Sequence, residues 1–346
     1  MALSLAAAGC SSEGSDAERT RTGGGSDTGS TASTPETADA FPVTIPNKYG
    51  SATIEEAPER VVVVGLVEQD ALLALGVTPV ATTEWFGDHP DAVWPWATDE
   101  REALDGGEIQ VLTNADGINF EAVAALRPDV IIGLYSGLTK TEYATLSKIA
   151  PVVAQPEEYV DYAVPWQEST VTVGKVVGKV EEAEALVAEV EDQFTAARKA
   201  HPEFEGRSAA VATPYEGIYV YGAEDPRGRF VEALGMEVPA ALAAMAEEEF
   251  GFDLSEEKAE LLDVDVIVWL DREDKEGASP LGGPLYAELP VHTEGREVFL
   301  DSEAEDALGG AMSFVTVLSL PYLLDGVVPL LSLAVDGDTS TEVPTS

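Results

Sequence analysis

The chain has 346 residues, enough for two domains with cores of their own. Its 64 acidic and 19 basic residues give a formal charge of −45, which sets aside nucleic acid and anionic lipid surfaces as partners, since both would be repelled. Its one cysteine, Cys10, rules out an internal disulfide. The acids are scattered along the chain as a solvated acidic surface, of the kind that suits a saline or alkaline habitat. Runs such as 247–249 and 271–276 lack the alternating oxygen ligands and central glycine of a calcium loop.

In chain order, residues 3–12 place small side chains before Cys10 and polar ones after it, the end of a bacterial lipoprotein signal whose basic start is missing. Residues 1–40 therefore read as a partial signal with Cys10 as lipidation site, followed by a disordered Gly/Ser/Thr-rich linker. No later run is long and apolar enough to span a bilayer. The expectation is an extracytoplasmic protein that meets the membrane through a lipid anchor only.

Residues 41–165 read as an N-terminal α/β lobe. A hairpin over 41–54 turns at 47–50, and the β-branched run 60–65 reads as a strand buried on both faces. A helix over 70–75, a strand at 79–82, a helix at 119–126, a strand at 129–133, a helix at 139–149 and a strand at 151–154 follow. Alternating strands and helices imply a mostly parallel sheet covered on both sides.

Residues 166–200 then read as one long helix joining two halves. The apolar residues Val173, Val176, Val180, Ala183, Val187, Val190, Phe194 and Ala197 step by threes and fours, and His201-Pro202 ends the pattern. Such a helix would run roughly 50 Å and act as a rigid strut. Gly174 and Gly178, spaced by four, would form a flat strip for close packing.

The second half, 201–335, repeats the first, with 336–346 as a disordered tail. Residues 229–236 echo 70–77, and 256–269 echo 120–133. Two similar α/β lobes with mostly parallel sheets, one rigid helix between them and a ligand cleft where they face each other is the expected fold.

Several chemistries find no support. The stretch from Gly174 through Gly178 to Lys179 lacks the spacing and the Ser/Thr of a phosphate loop, and no nucleophile elbow or dinucleotide fingerprint occurs. His89, His201 and His292 stand far apart, so no metal site built on protein nitrogens is expected. Close acid pairs such as Asp301 and Glu305 arise by chance among 64 acids, and no catalytic set is expected.

What remains is aromatic and cationic. Trp85, Phe86, Trp94 and Trp96 lie after a strand, Tyr135 follows another, Tyr219 and Tyr221 flank Val220, and Arg227 and Arg229 bracket a glycine. Guanidinium groups at a strand-to-helix turn suit ligand oxygens, although both could instead pair with acids such as Glu224.

Over 41–333 these features resemble the substrate-binding lipoproteins of bacterial ABC importers for iron-siderophores, a family that includes cobalamin binders. The resemblance rests on the phrases at 58–62, 70–76, 94–96, 120–133, 135–139, 146–151, 284–290 and 319–321, in this order around one central helix. It implies a binding protein, not an enzyme, that needs no cofactor and acts as a monomer. Its ligand would be a ferric siderophore held by Trp85, Phe86, Trp94 and Tyr135 from one lobe and by Tyr219, Tyr221, Arg227, Arg229 and Phe314 from the other. It further implies docking on an ABC permease through one glutamate per lobe, Glu142 and Glu257. A cobalamin or haem binder of the same fold, or a hydrolase or interaction module using the cleft, are the alternative readings. The −45 charge leans toward neutral or cationic chelates such as ferric hydroxamates.

Overall fold

The computed structural model describes residues 40–344, apart from 105, 114, 116, 247–248, 274–276 and 303–306. Cys10 and the linker lie outside the described residues. Strands β1 (Val43–Asn47) and β2 (Gly50–Ile54) form the expected hairpin, whose Ile45, Ala52 and Ile54 turn inward.

The N-terminal sheet comprises β3 (Val61–Val63), β4 (Ala81–Thr83), β5 (Gln110–Leu112), β6 (Val130–Gly133) and β7 (Val152–Ala154). They run in the order β5-β4-β3-β6-β7, all parallel. The central strands β3 and β6 are buried along their whole length, as continuous β-branched runs require when helices cover both faces. Crossovers carry α1 (Glu68–Ala74), α2 (Thr98–Ala103), α3 (Phe120–Ala125) and α4 (Lys140–Leu146). Asn119 caps α3 by accepting from the Ala122 amide, and Thr139 and Glu142 form a reciprocal capping box on α4.

The strut is two helices rather than one. α5 (Trp166–Val177) ends at Gly178, which adopts the left-handed φ of 71°, and α6 (Val180–Ala200) starts after Lys179. The Lys179 amide donates to the Gly174 carbonyl and closes the end of α5. α5 packs along α1, while α6 packs along the C-terminal helix, so the long connector is α6, about 30 Å at 1.5 Å per residue. Gly174 does provide the flat contact expected of it: a Cβ there would stand 2.6 Å from the Ala183 Cβ.

The C-terminal sheet contains β8 (Ala209–Pro214), β9 (Ile218–Tyr221), β10 (Gly251–Leu254), β11 (Val266–Leu270) and β12 (Glu297–Leu300), ordered β10-β9-β8-β11-β12. This is the strand order of the first sheet, position for position. One strand differs in direction, because β9 runs antiparallel to both β8 and β10. α7 (Pro226–Ala233), the counterpart of α1, accordingly follows a hairpin and not a crossover. A 3-10 helix over Glu256–Leu262 takes the place matching α3. α8 (Ala240–Ala246), α9 (Pro290–Thr293), α10 (Leu308–Phe314) and α11 (Ser319–Ala334) complete the lobe. Past α11, where the sequence suggests a structureless tail, Asp336 and Asp338 accept hydrogen bonds from residues 338–341 in successive turns. No helix among the described residues is long and apolar enough to cross a membrane.

Candidate ligand-binding cleft between the lobes

The site is built from strand ends. Tyr135 follows β6, and its position is set by Glu68 at the start of α1. The fully buried Glu68 carboxylate accepts from the Leu134 amide at 2.5 Å and the Tyr135 amide at 2.7 Å. Burial raises the Glu68 pKa against the pull of those backbone donors. Trp85 and Phe86 follow β4 and are half-buried. Trp94 and Trp96 stack at 4.9 Å in the short helical turns before α2.

From the other lobe, Phe314 ends α10 and enters this group of rings. Its centroid lies 5.6 Å from Trp85, 5.5 Å from Trp94 and 5.2 Å from Trp96. Trp94 in turn rests on Gly310 of α10, where any β-carbon would collide with the indole. Trp85 also meets Tyr135 at 5.8 Å. Such offset and tilted pairs are the geometry that aromatic quadrupoles favour.

Arg227 completes the cluster on the side of α7. Asp225 is the N-cap, its side chain accepting from the Arg227 amide at 2.8 Å, with Pro226 in the first helical position. The same carboxylate takes Arg227 Nη1 at 3.0 Å on each oxygen, and both side chains are buried. Burial opposes the guanidinium charge, but Asp225 outweighs it and holds Arg227 protonated more firmly than a free arginine. The guanidinium lies 4.2 Å over the Tyr221 ring and 5.9 Å over Trp85. Its Nε, buried, has no hydrogen-bond partner. Tyr219 stands 5.4 Å from Tyr221.

Eight of the nine ligand residues expected from the sequence thus form one connected group. The ninth, Arg229, faces elsewhere. Its Nη1 donates to the Ala163 carbonyl at 2.6 Å and its Nη2 pairs with Glu224 at 2.6 Å, so it ties the segment before α5 to α7. Glu224 is the pairing partner that the sequence offered as the alternative.

Sequence reasoning passed over Glu68, Asp70, Thr316 and Asp225. Asp70 on α1 accepts from Trp96 Nε1 at 2.8 Å and from the Thr316 hydroxyl at 2.5 Å, joining the lobes beneath the rings. Nothing marks two buried carboxylates among 64 acids in one dimension; only the Asp-Pro pair at 225–226 carried a local signal, that of a helix start. Beneath the rings, the space lined by Glu68, Tyr135, Trp166, Phe314 and Thr316 amounts to about 20 Å³, room for a single water. A larger cavity of about 210 Å³ lies away from the rings, in the C-terminal lobe between Ile218, Leu254, Ala259 and Tyr286. It has neither the ring cluster nor the convergent polar groups of the interlobe site.

Two α/β lobes of one strand order, a long helix between them and an aromatic site at their facing strand ends define a bilobed solute-binding protein. The chain belongs to the periplasmic binding protein family, whose model matches residues 61–304. Among solved structures it is similar to a periplasmic solute binding protein from Mycobacterium smegmatis, 34% identical with a TM-score of 0.72, over 85% of this chain and 98% of that one. It is also similar to the iron uptake protein PiaA of Streptococcus pneumoniae in complex with ferrichrome, 27% identical with a TM-score of 0.73, over 85% and 99% of the two chains. The Fe(3+) dicitrate-binding periplasmic protein FecB of Escherichia coli (strain K12) is 29% identical over 225 residues, 62% of this chain and 68% of that protein. The family that the motifs resembled is the family found.

Proposed function

We propose that this protein captures a ferric siderophore between its lobes, outside the cytoplasm, and delivers it to the permease of an ABC importer without chemical conversion. The observation that carries the reading is the ring group of Trp85, Phe86, Trp94, Tyr135 and Phe314, assembled from both lobes. Its support among relatives is the similarity to the ferrichrome complex and to the ferric dicitrate-binding protein. A chelate that already holds iron through its own oxygens needs apolar walls and hydrogen-bond donors, not protein metal ligands. Aromatic faces supply the walls, and the Tyr135, Tyr219 and Tyr221 hydroxyls supply donors.

The space beneath the rings is far smaller than a chelate, and in this reading the rings part to admit one. Trp85 and Phe86, half-buried on the segment after β4, are the rings that would swing first, while Trp94 and Phe314 are held by α10. The rigid frame of α6 confines the change to this gate and to small lobe movements. Delivery would use the family's paired surface glutamates, Glu142 and Glu257.

All of Trp85, Trp94 and Trp96 sit at the site, so intrinsic tryptophan fluorescence reports on it. Titration with ferrichrome, ferrioxamine B, ferric citrate, haem and cobalamin should give saturable quenching with at least one ferric chelate, with Kd of about 1 µM or tighter. Quenching by haem or cobalamin alone, or by none of the five, would overturn the reading.

A further inference from the structure

Three basic side chains of the described residues, in or near the ring group, are paired with acids. Arg227, the basic side chain within the ring group, shares both Nη1 hydrogen bonds with the buried Asp225. Arg229 pairs with Glu224, and Lys48, over the Tyr49 ring in the hairpin turn, pairs with Asp161. The hydroxyl-bearing rings are surrounded by further carboxylates. Burial first, then Tyr221, Asp225 and Asp253, push the Tyr219 hydroxyl up. Burial raises Tyr221 too, with Asp225 and Asp271 adding to it and Arg227 opposing. Among the described residues, the ring group presents uncharged donors and ring faces beside the Arg227–Asp225 pair, set in a chain of formal charge −45.

We infer that the cleft selects ferric chelates of zero or positive net charge, of the hydroxamate type, and rejects the anionic carboxylate and catecholate types. An anionic chelate would enter a partly desolvated space beside Asp225, where the Arg227 charge is already paired. A neutral or cationic hydroxamate complex presents carbonyl-like oxygens to the tyrosine hydroxyls and the unpartnered Arg227 Nε, and its charge, when positive, is attracted by the surrounding acids. The inference rests on the ferric siderophore reading and narrows it.

The test is a titration series on the whole protein with four probes: uncharged ferrichrome, cationic ferrioxamine B, anionic ferric dicitrate and an anionic ferric tris-catecholate. The expected result is affinity for ferrichrome or ferrioxamine B at least about tenfold tighter than for either anion, with ferrioxamine B binding weakening as salt is added and ferrichrome binding unchanged. Equal affinity across the series, or preference for an anion, overturns the charge selection while leaving siderophore binding in place. Binding of none of the four overturns both. Asp225→Asn keeps an N-cap residue yet uncovers the Arg227 charge. In the folded variant the ratio should move toward ferric dicitrate by about tenfold, and an unchanged ratio would remove Asp225 from the account. Should that variant not fold, the series on the unaltered chain decides alone.

Discussion

Asp70 shows what one buried carboxylate does here. It lies on α1 with Oδ2 between Trp96 Nε1 and the Thr316 hydroxyl, while Oδ1 is buried without a partner. Burial raises its pKa to about 6 from the ordinary 3.8, Thr316 and Trp96 pulling the other way. The folded protein therefore holds a proton that the unfolded chain releases. The stability this contributes is fully present below about pH 4 and is lost as pH rises through about 6. The difference is on the order of 3 kcal/mol at most. Asp70→Asn cannot titrate, so urea unfolding from pH 4 to pH 7 should show a flatter stability profile than the parent, by about 1–3 kcal/mol. Superimposable profiles would mean that Asp70 is not a buried titrating group.

At the level of elements, the break between α5 and α6 matters most. Threes and fours persist across it because both helices lay their apolar faces on the same core, and periodicity does not register one left-handed residue. A signal was present all the same, since glycine just past the last periodic residue is the commonest helix stop. Gly178 has φ of 71°, and a Cβ on it would stand 2.8 Å from Phe41 Cε2. Gly178→Ala should lower unfolding stability by about 1–2 kcal/mol, as read by denaturant midpoint. Chelate affinity should stay within about twofold, since Gly178 touches none of the ring group. A large loss of affinity with unchanged stability would assign Gly178 a role in lobe movement instead.

For the molecule as a whole, the lobes share one strand order but differ in the direction of β9, which brings Tyr219 and Tyr221 onto an antiparallel strand beside Arg227. The two proposed docking glutamates are not equivalent either. Glu257 is exposed at the start of its 3-10 helix, whereas Glu142 is committed to the capping box of α4, accepting from the Thr139 amide at 2.8 Å and its hydroxyl at 2.7 Å. Glu257→Lys should therefore abolish chelate uptake by cells while leaving the affinity of the isolated protein intact. Glu142→Lys should in addition cost about 1 kcal/mol of stability through the lost cap. Undiminished uptake with Glu257→Lys would dismiss docking at that residue.

Much of this architecture was legible in one dimension because its signals are local. Continuous β-branched runs, helical periodicity, turn glycines and the echo of 70–77 in 229–236 lead to two α/β lobes, and aromatic residues just past strand ends mark the facing cleft. The charge state of that cleft was not legible in the same way. Whether Arg227 and Arg229 met a ligand or neighbouring acids stayed open until folding set Asp225 and Glu224 against them. Asp70 became a latch only when a residue 246 positions away reached its carboxylate. Burial and pairing are properties of neighbours in space, and chain-distant neighbours leave no periodic trace, so the lobes and rings could be read from residue order while the neutral, acid-lined character of the site required the folded chain.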